Sequence, residues 1–228
     1  MIAALLQARL GSERLPGKVL MDLPKGSGVS MLARIIRRLK QCETLDDIIV
    51  VTPDNEIASV ADHEGVKSSI SVDPERDVLR EYYFAAYAYK VDTIVRITGD
   101  CPAICPRVVD RIVEGHVQFS RGLTYNRNDN IMYCREIDGI DVEVFDFELL
   151  EEANEKAAKP EDREHVTAWM YEHSKTSMVE CGWNIDNPEE IKLSVDTQED
   201  YERMSKIYED LGPDFTMREL QRYLEKDK

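Results

Sequence analysis

Ala3-Ala4-Leu5-Leu6-Gln7-Ala8-Arg9-Leu10-Gly11-Ser12-Glu13-Arg14-Leu15-Pro16-Gly17-Lys18-Val19 is the stretch on which the fold turns. Its first four residues form an unbroken apolar run, which in so short a segment marks a strand buried on both faces. A loop with glycine, serine and the cations Arg9, Arg14 and Lys18 follows. In open parallel sheets, ligands bind beyond the carboxyl ends of the strands, so this loop lies where an anion would be held. Gly11 lets the backbone approach closely, N–H groups can cradle phosphate oxygens, and Arg and Lys add charge-assisted hydrogen bonds. The spacing excludes a Walker loop, because five residues separate Gly11 from Gly17, Pro16 removes a donor and Val19 has no hydroxyl for magnesium. The dinucleotide pattern of three spaced glycines is absent too.

Outward from this loop, strands alternate with helices. Met31 to Lys40 places Leu32, Ile35, Ile36 and Leu39 on one helical stripe, with Arg34, Arg37 and Arg38 opposite and expected to face solvent. Strands are predicted at Ile48 to Val51 and Thr93 to Ile97, and helices around Ile57 to Ala61, over Val78 to Tyr89 and over Pro106 to Val117. The second half is less regular. Strands are expected at Val142 to Phe145, Ser177 to Cys181 and Ile191 to Val195, and helices over 147–156, 163–171, 198–211 and 216–225. This pattern predicts an α/β fold, a mostly parallel sheet flanked by helices, in one domain spanning 1–228 with a small inserted lobe around 118–145. The aromatic run Tyr82-Tyr83-Phe84, Tyr87 and Tyr89 reads as helix packing.

The chain has 228 residues, 43% hydrophobic and 32% charged, a balance that excludes bulk disorder. Its net charge is −16, yet residues 1 to 40 hold eight Lys/Arg against Glu13 and Asp22. So acidic a body offers no footprint for nucleic acid or an anionic membrane. Neither a signal peptide nor a membrane-spanning run is visible, so a cytoplasmic location is expected. Five scattered cysteines (Cys42, Cys101, Cys105, Cys134 and Cys181) read as reduced thiols, and with four histidines they show no zinc spacing.

Two further stretches end strands in acid: Arg96-Ile97-Thr98-Gly99-Asp100-Cys101-Pro102 and Leu193-Ser194-Val195-Asp196-Thr197-Gln198-Glu199-Asp200. Each aspartate alone suits a turn or a helix cap. Together, beside a loop sized for a triphosphate, they suit Mg²⁺, which takes oxygen ligands and substrate phosphates.

Gln7-Ala8-Arg9-x-Gly11-Ser12-x-Arg14-Leu15-Pro16-Gly17-Lys18-x-Leu20 resembles the opening of the cytidylyltransferases that make CMP-activated acidic sugars, above all the branch named for spore coat polysaccharide biosynthesis. Similar matches are Arg96-x-Thr98-Gly99-Asp100-x-Pro102, Asp138-Gly139-x-Asp141-Val142-Glu143-Val144-Phe145, Arg163-Glu164-His165-Val166-Thr167 and Ser194-Val195-Asp196-Thr197-x-Glu199-Asp200. The resemblance implies a Rossmann-like nucleotide-diphospho-sugar transferase architecture. It implies that Arg9, Ser12, Arg14 and Lys18 bind CTP phosphates, with Leu5, Gln7, Ala8 and Gly11 alongside and Thr52, Asp77, Arg96, Thr98 and Gly99 also at the nucleotide. Asp100 and Asp196 would hold Mg²⁺, while Asp141, Glu143, Glu164 and His165 would face an acidic acceptor. Ala103-Ile104-Cys105 and Cys134-Arg135-Glu136-Ile137 depart from that branch where the acceptor should be chosen. A homodimer formed through 118–145 is implied by analogy.

The chemistry implied is attack of an acceptor oxygen on the α-phosphate of CTP with release of pyrophosphate. Arg14, Lys18 and Asp100 would be catalytic through charge neutralisation and positioning. Two other readings stay open. One is a UTP- or GTP-using sugar-phosphate nucleotidyltransferase or a glycosyltransferase of the same fold, and the other a non-catalytic nucleotide-binding subunit.

Overall fold

The computed structural model describes residues 1–71, 77–119, 122–126, 136–182 and 185–226. The apolar opening forms β1 (Ile2–Gln7), followed by α1 (Met31–Leu39), β2 (Asp47–Thr52), α2 (Asn55–His63), β3 (Lys67–Ile70), α3 (Val78–Tyr89), β4 (Thr93–Thr98) and α4 (Pro106–Phe119). The second half adds β5 (Leu123–Tyr125), β6 (Glu143–Asp146), α5 (Phe147–Lys156), α6 (Pro160–Glu164), α7 (Ala168–His173), β7 (Thr176–Met178), α8 (Gln198–Leu211) and α9 (Met217–Lys226). Among the described residues, seven strands make one sheet in the order β3-β2-β1-β4-β6-β5-β7. All pairings are parallel except those of β6, which runs antiparallel to β4 and β5. The expected mostly parallel α/β sheet is what forms.

Successive side chains of β1 point to opposite faces. Ala4 and Leu6 join a core with Ile35 and Ile36 of α1, Ile112 of α4 and Tyr208 of α8. Ala3 and Leu5 join Tyr82 of α3, Leu150 of α5 and Met170 of α7 on the other face. A central strand buried on both sides needs apolar residues at every position, which is why the opening run is unbroken.

From β1 the chain proceeds to β2 on one side, while β4 is added on the other. The loops leaving β1 and β4 therefore diverge and open a crevice at the carboxyl ends of these strands. Gln7 pairs with Thr98, and the N–H of Gly99 donates to the Gln7 carbonyl at 2.8 Å. A Cβ on Gly99 would stand 2.8 Å from that oxygen, so only glycine permits the approach.

Several local expectations differ. Lys67–Ile70, too polar to read as a strand, pairs with β2 at the sheet edge. At the ends of the stretch expected to form an inserted lobe, Leu123–Tyr125 and Glu143–Asp146 are strands of the sheet itself, while residues 127–135 lie outside the described residues. The helix expected over 163–171 is broken between α6 and α7. There Val166 is fully buried with φ +50°, and the Thr167 hydroxyl donates to Glu143 at 3.0 Å, so tertiary contacts override helical periodicity.

The strand expected over Ile191 to Val195 is an extended segment with a single bridge between Asp138 and Lys192. Leu193 N–H donates to the Asp138 carbonyl at 2.7 Å, and Val195 N–H to that of Asp100 at 2.8 Å. Gly139, at φ +97°, makes room for it, since a Cβ there would lie 2.2 Å from the Ser194 nitrogen.

Arg38 is also corrected. Rather than facing solvent, it is buried, donates to the carbonyls of Ile104, Pro213 and Phe215, and lies 4.1 Å over the Phe215 ring. The planar fork serves three carbonyls at once. Arg34 likewise donates to the Leu23 carbonyl at 2.6 Å, and Arg37 pairs at the surface with Glu64. Within the aromatic run, Tyr82 is buried, but Phe84 and Tyr87 are exposed.

Candidate active site

A cleft of about 990 Å³ opens beyond the carboxyl ends of β1 and β4. One wall is the loop after β1, contributing Gln7, Ala8, Arg9, Gly11, Ser12, Arg14 and Lys18. Thr98, Gly99 and Asp100 form the floor, and Asp77, Glu164, His165 and Asp196 complete the set of sequence-selected residues that line it. Residues 90 to 190 positions apart meet here because the topological switch and the extended segment ending at Val195 bring their backbones together.

Gly17, at φ +70°, starts a short 3-10 turn over Lys18–Leu20 that carries Lys18 inward. The buried lysine donates to the Val195 carbonyl at 2.6 Å and to Asp196 Oδ1 at 3.1 Å, and its nitrogen is 3.5 Å from Asp100 Oδ2. Lys18, expected at the phosphates, lines the cleft and there meets both aspartates. Arg9 and Arg14 are exposed, and Arg14 also reaches Asp196, at 3.0 Å. Lys192 meets the other oxygen of Asp196 at 3.0 Å. Burial works to raise the Asp196 pKa, but the Lys192 and Lys18 hydrogen bonds hold it below its ordinary value.

Behind Asp196, Asp200 closes a capping box with Thr197 at the start of α8. Its carboxylate accepts from Lys192, from Arg203 and from the backbone of Asp196 and Thr197. Burial alone would raise its pKa; these partners push it well below the usual carboxylate range. A pKa depressed by folding stabilises the protein above the unfolded value of about 3.9 and loses that effect as pH falls through the folded value. Asp200→Asn is therefore expected to lower the urea midpoint at pH 7, with a smaller gap from wild type at pH 3. A gap that widens on acidification contradicts this account.

Five sequence-selected residues do not line the cleft. Leu5 lies in the core. Thr52 is buried, its hydroxyl accepting from Asp54 N–H at 3.1 Å, and Asp54 in turn accepts from Leu10 N–H at 2.7 Å. That segment braces the loop after β1 from behind. Asp141 accepts from Gly139 N–H at 2.9 Å and shapes the turn that meets Ser194. Arg96 and Glu143 form a largely buried ion pair at 2.5 Å, with the Thr167 and Tyr171 hydroxyls donating to Glu143. Desolvation pulls the Arg96 pKa down, but the adjacent Glu143 raises it overall, so the guanidinium stays charged.

The departures at Ala103, Ile104 and Cys105 are core residues, and Cys134 and Arg135 lie outside the described residues. The Cys101 thiol is buried, and burial, with Asp100 and Asp141 nearby, raises its pKa well above normal, leaving it unreactive.

Arg163 was given no role from sequence, yet it lines the cleft. It bonds Asp77 through Nε at 2.8 Å and the Asn154 carbonyl at 2.8 Å, joining the head of α3 to α6 and α5. Its place in the motif with Glu164 and His165 was the available signal. Four cations and five carboxylates line the cleft, so its charge is nearly balanced rather than basic.

Among the described residues, no three His, Cys, Asp or Glu side chains gather as a metal cluster. Mg²⁺ does not need three, because it takes one or two carboxylates and completes its shell with water and phosphate. Asp100 and Asp196 converge on one cation, the Lys18 ammonium, and so fit such an ion by donor chemistry.

A family model described as cytidylyltransferase matches residues 3–227. An uncharacterized protein of Methanocaldococcus jannaschii is 35% identical over 225 residues, 95% of this chain and 85% of that protein. The spore coat polysaccharide biosynthesis protein SpsF of Bacillus subtilis is 29% identical, covering 96% of this chain and 92% of its own. Among solved structures, a cytidylyltransferase from Leptospira borgpetersenii superposes with a TM-score of 0.87 at 28% identity, covering 99% of this chain and 94% of that one.

Proposed function

The chain belongs to the cytidylyltransferase family and is a CTP-dependent nucleotidyltransferase, and from this premise we propose that it transfers CMP from CTP to an acidic sugar or related acceptor in surface polysaccharide or glycan synthesis. The observation that carries the reading is the cleft at the β1/β4 switch point, which Arg9, Ser12 and Arg14 line together with Asp100 and Asp196. Likeness to SpsF supports the polysaccharide context.

In this reading the triphosphate lies along the loop after β1, with Arg9, Arg14 and the Ser12 hydroxyl as its donors. An acceptor oxygen bonds to the α-phosphorus, the bond to the bridging oxygen of the β-phosphate breaks, and pyrophosphate leaves with that electron pair. The acceptor's proton, where it is a hydroxyl, departs toward the wall carrying Glu164 and His165. Such a reaction needs positioning and charge neutralisation more than covalent catalysis. Asp100 and Asp196 would hold Mg²⁺, which neutralises phosphate charge when bound. Arg163 and Asp77 keep the acceptor wall in register with the nucleotide wall.

Incubating the protein with Mg²⁺, each of CTP, UTP and GTP, and a panel of acidic sugars, sugar phosphates and phosphonates is expected to release pyrophosphate with CTP and at least one acceptor. A preference for UTP overturns the nucleotide assignment, and binding of CTP without turnover across the panel favours a non-catalytic subunit.

A further inference from the structure

We propose that Lys18 is the resident counter-ion of Asp100 and Asp196 in the nucleotide-free protein, and that a divalent cation enters their site only by displacing the lysine ammonium. The inference deepens the cytidylyl-transfer reading and rests on it.

The side chain of Lys18 is 9% exposed, and its nitrogen meets the Val195 carbonyl at 2.6 Å, Asp196 at 3.1 Å and Asp100 at 3.5 Å. An ammonium has three N–H donors, and three protein oxygens surround this one. Asp196 Oδ1 is shared with Arg14 at 3.0 Å, and Oδ2 is taken by Lys192 at 3.0 Å. A divalent ion bonded to both aspartates at about 2.0–2.1 Å would stand against the lysine nitrogen, which points at the same oxygens. Two cations cannot share that point, because at contact distance their repulsion is large even at the effective dielectric of a protein surface.

The free protein therefore presents a metal with carboxylates already neutralised. Phosphate oxygens in the cleft change this, offering Lys18 and Arg14 new acceptors and releasing Asp100 and Asp196 together. Metal and nucleotide then bind with positive coupling, and by linkage each raises the affinity of the other by the same factor. The buried lysine thus works as an exchangeable cation rather than as a standing phosphate ligand. It also prevents a metal from settling in the empty site.

Mn²⁺ is the probe, titrated into the full-length protein without nucleotide and followed by the electron paramagnetic resonance signal of the free ion. Wild type is expected to bind Mn²⁺ weakly. Lys18→Met and Lys18→Gln are expected to bind it at least roughly tenfold more tightly, since a unit charge a few ångströms from the ion is removed. Lys18→Arg, which keeps the charge, should stay near wild type, and Asp196→Asn in the Lys18→Met background should erase the gain. Circular dichroism checks that each variant is folded, and the glutamine variant keeps a donor for the Val195 carbonyl should the methionine variant unfold. Affinities in Lys18→Met or Lys18→Gln no tighter than wild type overturn the proposal. Failure to bind or convert CTP would overturn the functional reading instead, and leaves the nucleotide-free Mn²⁺ comparison with its own answer.

Discussion

Asp100→Ala is expected to lower the rate of CTP-dependent pyrophosphate release by at least about 10²- to 10³-fold, the loss typical of removing one preorganised charge from a reacting centre. Its effect on folding should be small. The Asp100 side chain is 33% exposed and lies 3.5 Å from Lys18, which keeps Asp196 and the Val195 carbonyl as partners. The backbone of residue 100 still accepts the Val195 N–H after the change, so the extended segment stays docked. Partly exposed ion pairs contribute no more than about 1 kcal/mol, which limits the expected loss of stability. Single-turnover kinetics and thermal unfolding of the same preparation check both halves. Unimpaired turnover removes Asp100 from the chemistry.

Glu143→Ala should do the reverse. Its carboxylate pairs with half-buried Arg96 at 2.5 Å and accepts the hydroxyls of Thr167 at 3.0 Å and Tyr171 at 2.8 Å. Truncation leaves a guanidinium charged in the sheet with no counter-ion, a change that costs about 3–5 kcal/mol in comparable buried pairs. Replacing both partners with apolar residues of similar volume should cost much less, because no lone charge remains. Chemical denaturation of Glu143→Ala and of an Arg96→Met/Glu143→Leu double variant tests this. A single variant as stable as wild type would return Glu143 to the acceptor role that its motif suggested. The folded fraction of Glu143→Ala is expected to lose less turnover than Asp100→Ala.

These two acids illustrate what can be read from residue type and spacing. Both lie in motifs that resemble the same family, and both are carboxylates beside apolar, β-branched residues. Asp100 follows its strand and emerges at the crevice, whereas Glu143 begins β6 and pairs across the sheet with Arg96. Because β6 runs antiparallel to β4, the side chains of Arg96 and Glu143 face each other in register. The direction of β6 is invisible in a run of four residues. Strand register therefore decided which acid opens on the cleft and which faces an arginine.

Tertiary placement likewise separates Lys18 from Arg9 and Arg14. All three read as phosphate ligands because all three sit in one loop after a strand. Gly17 turns the chain so that Lys18 points under the loop, toward a segment some 180 residues away in sequence that supplies Val195 and Asp196. Arg38 differs from its expected solvent-facing place for a related cause: a helical stripe says which residues face the sheet, but not that residues near 213–215 return to cover the opposite face with carbonyl oxygens.

The sequence by itself determined the layered α/β architecture, the glycine- and cation-bearing loop after β1 and the family, because apolar runs buried on both faces and a loop of glycine and cations are local patterns. Those patterns depend on residues a few positions apart, where periodicity and backbone freedom act directly. The tertiary structure alone decided the partners of each charged side chain, since pairing depends on strand order, strand direction and the return of distant segments. Burial makes such pairings obligatory: a charge removed from water must meet an opposite charge or a hydrogen-bonding partner, wherever in the chain that partner lies.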